Sequence, residues 1–313
     1  MHRSVVVRRV VRVALVGVVG VVVGVAGRAG PVDAAEPPTP GSLLRTFLAA
    51  TATAVAVDGG YMVTVADPRA GIAFTDRPAR RAFRFDPVRA VSRWAQRYGD
   101  DPPNVALAGV TADGVAVARV ATVASAEVVD PRRLRFSLRL LDDPPGRSIP
   151  ADLADVTVFV DEPGTAAVGD PERATGRWLV TLNAPDATAR RGSDRARRTF
   201  DLSLARPGVG VGFTEQPERR WVRIDPARVP AAWPTVFGDD PPNAVLSGVA
   251  PGGREVAVPV TVLGARAEGD GLGFTVRAIG RGARDAVPPV LRDAVLSVDE
   301  ALSVTDMDSP CSV

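Results

Sequence analysis

Residues 74–110 read FTDRPARRAFRFDPVRAVSRWAQRYGDDPPNVALAGV, and residues 213–249 read FTEQPERRWVRIDPARVPAAWPTVFGDDPPNAVLSGV. The two stretches align without a gap at a constant offset of 139 residues, and 19 of their 37 positions are identical. Self-similarity at a fixed spacing is the signature of a duplicated structural unit. The chain therefore contains two tandem copies of one module.

Apolar and polar residues alternate around these stretches, which is the period of a half-buried β-strand. The alternation is clear at residues 61–65 in the first copy and at residues 200–204 in the second. Glycine and proline number 30 and 28 among 313 residues, and both favour frequent turns over long helices. The sequence predicts a mostly all-β fold of two tandem β-sandwich modules, of jelly-roll or immunoglobulin-like character, each with one short helix.

Each copy carries one helix signal. Asp86 followed by Pro87 suits a helix N-cap and first position, because proline has no N–H to lose there. The second copy has the same pair at residues 225–226, but Pro230 and Pro234 follow. Since a proline inside a helix removes a backbone hydrogen bond, we expect the second helix to be limited to about one turn.

The repeat and the composition of the residues around it predict how the chain is organised. In chain order the parts are a signal peptide at residues 1–34, a linker at 35–50, a first module at 51–162, a second linker at 163–175, a second module at 176–300 and a C-terminal tail at 301–313.

The N-terminal segment has the composition of an export signal. Four arginines lie within residues 1–12, and an uncharged apolar stretch follows at residues 13–26. Val32-Asp33-Ala34 then gives the small-x-small pattern of a cleavage site. The apolar stretch is short for a membrane-spanning helix, which needs roughly 20 residues. We therefore expect a secreted, extracellular protein with no membrane span after cleavage; the alternative is an uncleaved N-terminal anchor facing outside.

The predicted mature part lacks several kinds of catalytic group. The only histidine is His2 and the only cysteine is Cys311, which excludes Ser-His-Asp and Cys-His chemistry, histidine-bound metals and an intramolecular disulfide. Residues 1–34 hold five arginines and one aspartate, so their removal changes the net charge from +2 to −2. A nearly neutral chain is not expected to bind nucleic acid.

The Gly-Asp-Asp-Pro-Pro-Asn motif is identical in the two copies, at residues 99–104 and 238–243. Asp and Asn side chains stabilise turns and the prolines exclude helix, so the motif is first interpreted as turn architecture. The alternative is a Ca²⁺ site, because this ion prefers carboxylate and amide oxygens. The candidate ligands are Asp76, Asp100, Asp101 and Asn104 in the first copy, and Asp239, Asp240 and Asn243 in the second.

A cluster of arginines distinguishes the second copy. Five of them lie within residues 190–198, where the first copy has the tight turn Asp58-Gly59-Gly60. Such a run is usually a solvated loop tip, but it also suits binding to a polyanion such as a wall polymer, an anionic lipid surface or nucleic acid. The candidate anion-binding residues are Arg190, Arg191, Arg195, Arg197 and Arg198.

Three tryptophans near the motifs invite different interpretations. Trp94 and Trp233 occupy equivalent positions in the two copies, and we expect both to pack in a core. Trp221 stands where the first copy has Ala82, and we expect it at the surface.

At these motifs the chain resembles a group of uncharacterised secreted bacterial and archaeal proteins. That group shares an aromatic-Ser/Thr-Asp-Arg-Pro stretch, a short helix and Asp-Asp-Pro-Pro-Asn. Residues 74–78 and 100–104 carry the match in the first copy, and residues 239–243 carry it in the second. The second copy departs from the pattern at Glu215 and Gln216. The resemblance implies export and a β-rich domain, and it implies no particular activity.

These observations lead to three hypotheses of different classes. The first is an exported, non-enzymatic protein whose modules are structural, adhesive or ligand-binding, with a cell-wall or surface polymer as its partner. The second is a Ca²⁺-dependent carbohydrate-active or wall-modifying enzyme that uses only Asp and Glu. The third is a protein that binds anionic surfaces through the arginines of residues 190–198.

Overall fold

The computed structural model describes residues 43–141, 148–161, 177–192, 199–280, 287–301 and 304–307. The predicted signal peptide, residues 35–42 of the predicted linker, the linker at 163–175 and Cys311 lie outside the described residues. So do three of the candidate anion-binding residues, Arg195, Arg197 and Arg198.

The first module alternates long strands with short connections. Its elements are β1 (Leu43–Val57), β2 (Gly60–Thr75), β3 (Ala82–Phe85), α1 (Pro87–Ser92), α2 (Trp94–Tyr98), β4 (Asn104–Val110), β5 (Ala116–Asp130), β6 (Arg133–Leu140) and β7 (Asp152–Val160).

The second module repeats this order, except that two strands stand in place of β2 and one α-helix stands in place of α1 and α2. Its elements are β8 (Trp178–Arg191), β9 (Thr199–Ala205), β10 (Gly210–Thr214), β11 (Trp221–Ile224), α3 (Val229–Phe237), β12 (Asn243–Ala250), β13 (Arg254–Glu268), β14 (Gly271–Ala278) and β15 (Val290–Ala301). Short 3₁₀ helices lie at Pro226–Arg228 and Thr305–Met307.

All described strand pairs are antiparallel, and the strands of each module form one sheet that closes on itself. In the first module the order is β1-β7-β4-β5-β6-β2, and β2 pairs back onto β1. In the second it is β8-β15-β12-β13-β14-β9, and β9 pairs back onto β8. The prediction of a mostly β fold with two β-rich modules is confirmed. The two facing layers of each module are opposite sides of one curled sheet.

The first helix begins as its sequence predicts. The Asp86 carboxylate accepts hydrogen bonds from the N–H groups of Val88 and Arg89, and Pro87 occupies the first turn. Val91 and Trp94 are buried against the core of the module. The tight turn between β1 and β2 is also confirmed, with Gly59 in a left-handed conformation.

The expectation of a single turn for the second helix is wrong. α3 runs for nine residues, with Pro230 in its first turn and Pro234 in its interior. Pro230 costs little there, because the first N–H groups of a helix have no partner within it. Burial of Trp233 and Phe237 on one side of α3 offsets the hydrogen bond that Pro234 removes.

Ordered structure also extends beyond the predicted module boundaries. β1 begins at Leu43, within the stretch expected to be a linker, and Val304 and Met307 of the expected tail are buried in the second core. The first half of β1 is hard to recognise because both of its faces are covered at residues 44–49. Phe47 faces the core of its own module, while Leu44 belongs to a cluster shared with the other module.

Candidate functional site at the contact between the two modules

The two modules contact each other through the repeated motifs. The loops at residues 74–81 and 213–220 each contain a cis peptide bond before proline, and we call them the cis-proline loops. Each lies against the Asp-Asp-Pro-Pro-Asn loop of the other module, at residues 239–243 and 100–104 respectively. The contact is therefore reciprocal, and each module supplies one loop of each kind.

A completely buried asparagine ends each Asp-Asp-Pro-Pro-Asn loop and holds the backbone of the other module. Asn104 Nδ2 donates to the carbonyl oxygens of Thr214 at 2.7 Å and Glu218 at 2.6 Å. Asn243 occupies the equivalent position and makes the equivalent bonds. Its acceptors, both 2.7 Å from Nδ2, are the carbonyl oxygens of Thr75 and Ala79.

Two equivalent ion pairs join the same loops. Arg80 Nη2 lies 2.6 Å from Asp240 Oδ1, and Arg219 Nη2 lies 2.8 Å from Asp101 Oδ1. All four side chains are partly exposed, and such pairs contribute about 0–1 kcal/mol each. Arg219 also donates to the carbonyl oxygen of Pro102 at 2.7 Å. These contacts therefore fix the position of one module against the other, and they contribute little to the stability of the contact.

A buried aspartate at the end of β7 and another on β15 receive the cis-proline loops. Asp161 Oδ2 accepts from the Gln216 N–H at 2.6 Å, and Asp299 Oδ2 accepts from the Arg77 N–H at 3.2 Å. Burial raises the pKa of Asp161 well above its usual range, while the Gln216 N–H and the Arg219 charge oppose this rise. The contact therefore contains carboxyl groups removed from water.

The two halves of the contact differ where the second copy departs from the first. Arg77 donates to the carbonyl oxygens of Phe237 at 2.7 Å and Asp240 at 2.5 Å, and its guanidinium lies 5.6 Å from the Phe237 ring centroid. Gln216 stands at the equivalent position in the second copy. Asp76, which is buried, lies 3.5 Å from Arg177.

An apolar cluster lies beneath the polar loops and draws on both modules. Phe74 stacks on Phe159 with ring centroids 6.0 Å apart, and Phe159 meets Phe213 edge to face at 5.8 Å. Burial of aromatic surface is the largest stabilising contribution to such a contact. Equivalent residues of the two copies meet in this cluster, as the pairs Leu44 and Leu179, Ile72 and Val211, Phe74 and Phe213, and Ala106 and Val245 show.

Two further aspartates meet across the contact at equivalent positions. Asp155 and Asp293 both adopt a left-handed backbone conformation, with φ of 50° and 51°. Their side chains share a hydrogen bond, and burial together with that bond raises the pKa of Asp293. Burial and the neighbouring carboxyl group therefore both disfavour the charged form of Asp293.

The predicted Ca²⁺ ligands are divided between the two halves of the contact. Asp101 and Asp240 pair with arginines, while Asn104 and Asn243 hold backbone carbonyls. Asp100 and Asp239 lie exposed at the loop tips. Within the described ranges, no three Asp, Glu, Cys or His residues lie together as a metal ligand set.

Two of the candidate anion-binding arginines fall within the described residues. Arg190 and Arg191 are exposed at the end of β8. Arg190 is the register partner of Asp201 on β9, and both line a cavity of about 400 Å³. Arg266, Glu268 and Asp270 line the same cavity, so basic and acidic groups are mixed around Arg190.

The sequence identifies the residues of the contact but not the residues of the other module that they bind. Trp94 and Trp233 are buried, as predicted, whereas Trp221 is half-buried beside the contact. Turn architecture accounts for the motif within one copy. The motif that ends at Asn104 and Asn243 is identical in the two copies, although the residues around it differ. Such identity is expected when each copy binds the other, and it is the signal that could have predicted the contact.

Comparison with known protein families, curated proteins and solved structures gives no match to this chain. In the part of the chain that the structure describes, no helix combines the length and the apolar character needed to cross a membrane.

Proposed function

We propose that the chain is an exported, non-enzymatic protein that uses its two modules as one rigid body for binding. The observation that carries this proposal is the reciprocal contact of the repeated motifs. In each Asp-Asp pair one carboxylate is engaged with an arginine of the other module, and the other, Asp100 or Asp239, lies exposed at the loop tip. Asp101 and Asp240, which an Asp-based enzyme would need, each form an ion pair with the other module.

Export is supported by the basic and apolar segment at residues 1–26 and by the small-residue pattern at 32–34. An uncleaved anchor facing outside is the alternative. Outside the cell, the most abundant partners are wall and surface polymers, so we propose a polymer of this kind as the ligand. A rigid body suits that role, because binding then costs little conformational entropy.

The test is to mix the purified protein with insoluble wall polymers. Loss of protein from the supernatant measures binding, and reducing ends or free amino groups in the supernatant measure cleavage. We expect loss of protein without release of products. Release of products that stops in the Asp101→Asn and Asp240→Asn variants would establish the enzyme hypothesis instead. Failure to bind any polymer would refute the binding role.

The third hypothesis, binding of an anionic surface, is supported by the exposure of Arg190 and Arg191. It predicts sedimentation with phosphatidylglycerol vesicles at low salt and release at high salt, because salt screens exposed charges. Replacing all five arginines of residues 190–198 by serine should abolish that sedimentation. Equal sedimentation of the variant and the parent protein would exclude this surface.

A further inference from the structure

The contact between the modules has two sides made by equivalent strands, and a cavity lies on one of them. One lies between β5 and β6 of the first module and β10 and β11 of the second, and it encloses a cavity of about 320 Å³. We call it the open groove. The other, made by the equivalent strands β13, β14, β2 and β3, is the bridged groove. The residues of the open groove can therefore be compared with the equivalent residues of the bridged groove in the same chain.

A single ion pair distinguishes the bridged groove. Arg69 Nε lies 3.4 Å from Glu255 Oε2, and this pair joins β2 of the first module to β13 of the second. Burial of Glu255 outweighs the attraction of Arg69 and raises the pKa of this carboxyl. The equivalent residues beside the open groove are Gly208 and Ala116, which have no side chains long enough to meet. No ion pair between described residues therefore crosses the open groove.

One wall of the open groove presents an aromatic and a basic side chain. Trp221 and Arg223 both line it from β11. They lie two residues apart, so their side chains project from the same face of the strand. In the bridged groove Ala82 takes the place of Trp221, while Arg84 corresponds to Arg223. The aromatic wall is thus specific to the open groove.

The charge of the open groove favours an anion. Of the lining residues that the structure describes, Arg119 and Arg223 are basic and none is Asp or Glu. Arg119 donates to the carbonyl oxygen of Ser148 at 3.1 Å, so that guanidinium is already held in place. Among the described residues, Arg223 has neither a hydrogen bond nor an ion pair with another side chain. An arginine beside an aromatic face is suited to a carboxylate attached to a ring.

We propose that the open groove binds an acidic saccharide, with a sugar ring against the Trp221 indole and its carboxylate on Arg223. The cavity volume lies at the lower end of the range for small-ligand sites, which is about 300–1,000 Å³. This inference rests on the proposed binding function and adds the class of ligand and the place where it binds. Leu140 and Val211 line the floor and supply apolar contact for the C–H face of the ring.

The test uses tetragalacturonate as the probe, with the fully methyl-esterified tetramer as its neutral counterpart. We expect tetragalacturonate to bind in calorimetry and to change Trp221 fluorescence, and the ester to bind at least tenfold more weakly. Trp221→Ala, which copies Ala82, and Arg223→Ala should each weaken binding at least tenfold. Arg84→Ala is the matched control, because it removes the equivalent arginine from the bridged groove, and it should leave the affinity unchanged.

A second variant tests the groove without removing either binding residue. Ala116→Glu introduces the carboxylate of the bridged groove into the lining that contains Arg223 and should abolish binding, while Ala116→Gln should retain more of it. Thermal melts check that each variant folds. No binding of tetragalacturonate, equal binding of its ester, or equal effects of Arg223→Ala and Arg84→Ala would overturn this assignment. If Trp221→Ala still binds wall polymer as the parent protein does, the groove assignment fails and the binding function stands.

Discussion

Asn104 and Asn243 occupy equivalent positions, and each uses both N–H bonds of its amide to hold backbone carbonyls of the opposite module. Both side chains are completely buried, so no water can replace these hydrogen bonds. The two asparagines therefore lock the modules in one relative position. This relationship explains why the motif is identical in two copies that differ in much of their sequence.

We predict that Asn104→Ala lowers the free energy of unfolding by about 2–4 kcal/mol, because the carbonyls of Thr214 and Glu218 then stay buried without their donor. Asn243→Ala should cost a similar amount, since its bonds are equivalent. Urea denaturation measures both values. Asp100→Ala, an exposed change in the same loop, is the control and should change stability by less than about 0.5 kcal/mol. Equal effects of Asn104→Ala and Asp100→Ala would contradict the locking role.

The ion pairs between the modules should contribute much less to the free energy of unfolding than the hydrogen bonds of the two asparagines. A double-mutant cycle on Arg219→Ala and Asp101→Ala should give a coupling energy of about 0.5–1 kcal/mol, because both groups are partly exposed. The same cycle on Arg80 and Asp240 should agree with it. A coupling above about 2 kcal/mol in either cycle would show that the arginines, rather than the asparagines, dominate the polar contact.

We predict that Asp293→Asn raises Tm at pH 7. Burial and the hydrogen bond with Asp155 raise the pKa of Asp293, and the nearby Asp186 adds to this while Arg292 opposes it. The folded protein therefore holds this proton more tightly than the unfolded chain. The stability that this proton contributes is complete below the pKa of Asp293 in the unfolded chain, about 3.9. That stability is lost as the pH rises through the pKa of Asp293 in the folded protein.

The gain from Asp293→Asn should therefore shrink as the pH is lowered towards 4. Thermal melts of both proteins between pH 3 and 8 measure the difference. Asp152→Asn, an exposed change on the same strand as Asp155, is the control and should leave Tm unchanged at every pH. A gain that does not vary with pH would assign the effect to packing rather than to the proton.

We predict that millimolar Ca²⁺ and EDTA give the same Tm. The carboxylates of Asp101 and Asp240 already have guanidinium partners, and binding a metal would require breaking both ion pairs. A ligand that binds only the folded state raises its stability with concentration, so a tight site would raise Tm by several degrees. A rise of that size that disappears in Asp101→Asn would establish the Ca²⁺ site.

Much of the fold could be predicted from local patterns. The alternation at residues 61–65 identifies β2, and Asp86 with Pro87 marks the start of α1, because both signals act within a few residues. Local patterns failed where another part of the chain decides the outcome. The first half of β1 is covered on both faces, and α3 tolerates Pro234 because its aromatic residues are buried in the second core.

The candidate site was predicted only in part for a related reason. The sequence identifies the Asp-Asp-Pro-Pro-Asn loops but cannot tell whether Asn104 caps a turn in its own module or binds the neighbouring one. Both interpretations require the same residues at the same spacing. Trp221 was expected at the surface, yet the groove that it lines depends on Ala116 and Gly208, two small residues that give no signal of their own.

The bridged and open grooves bear on how such a chain can arise and change. A single module with these motifs would be self-complementary, so two identical chains would form a symmetric dimer and both grooves would be encoded by one set of codons. Gene duplication and fusion remove that constraint. Arg69 and Glu255 can then close one groove while Gly208 and Ala116 leave the other available, and the two copies can specialise without separating.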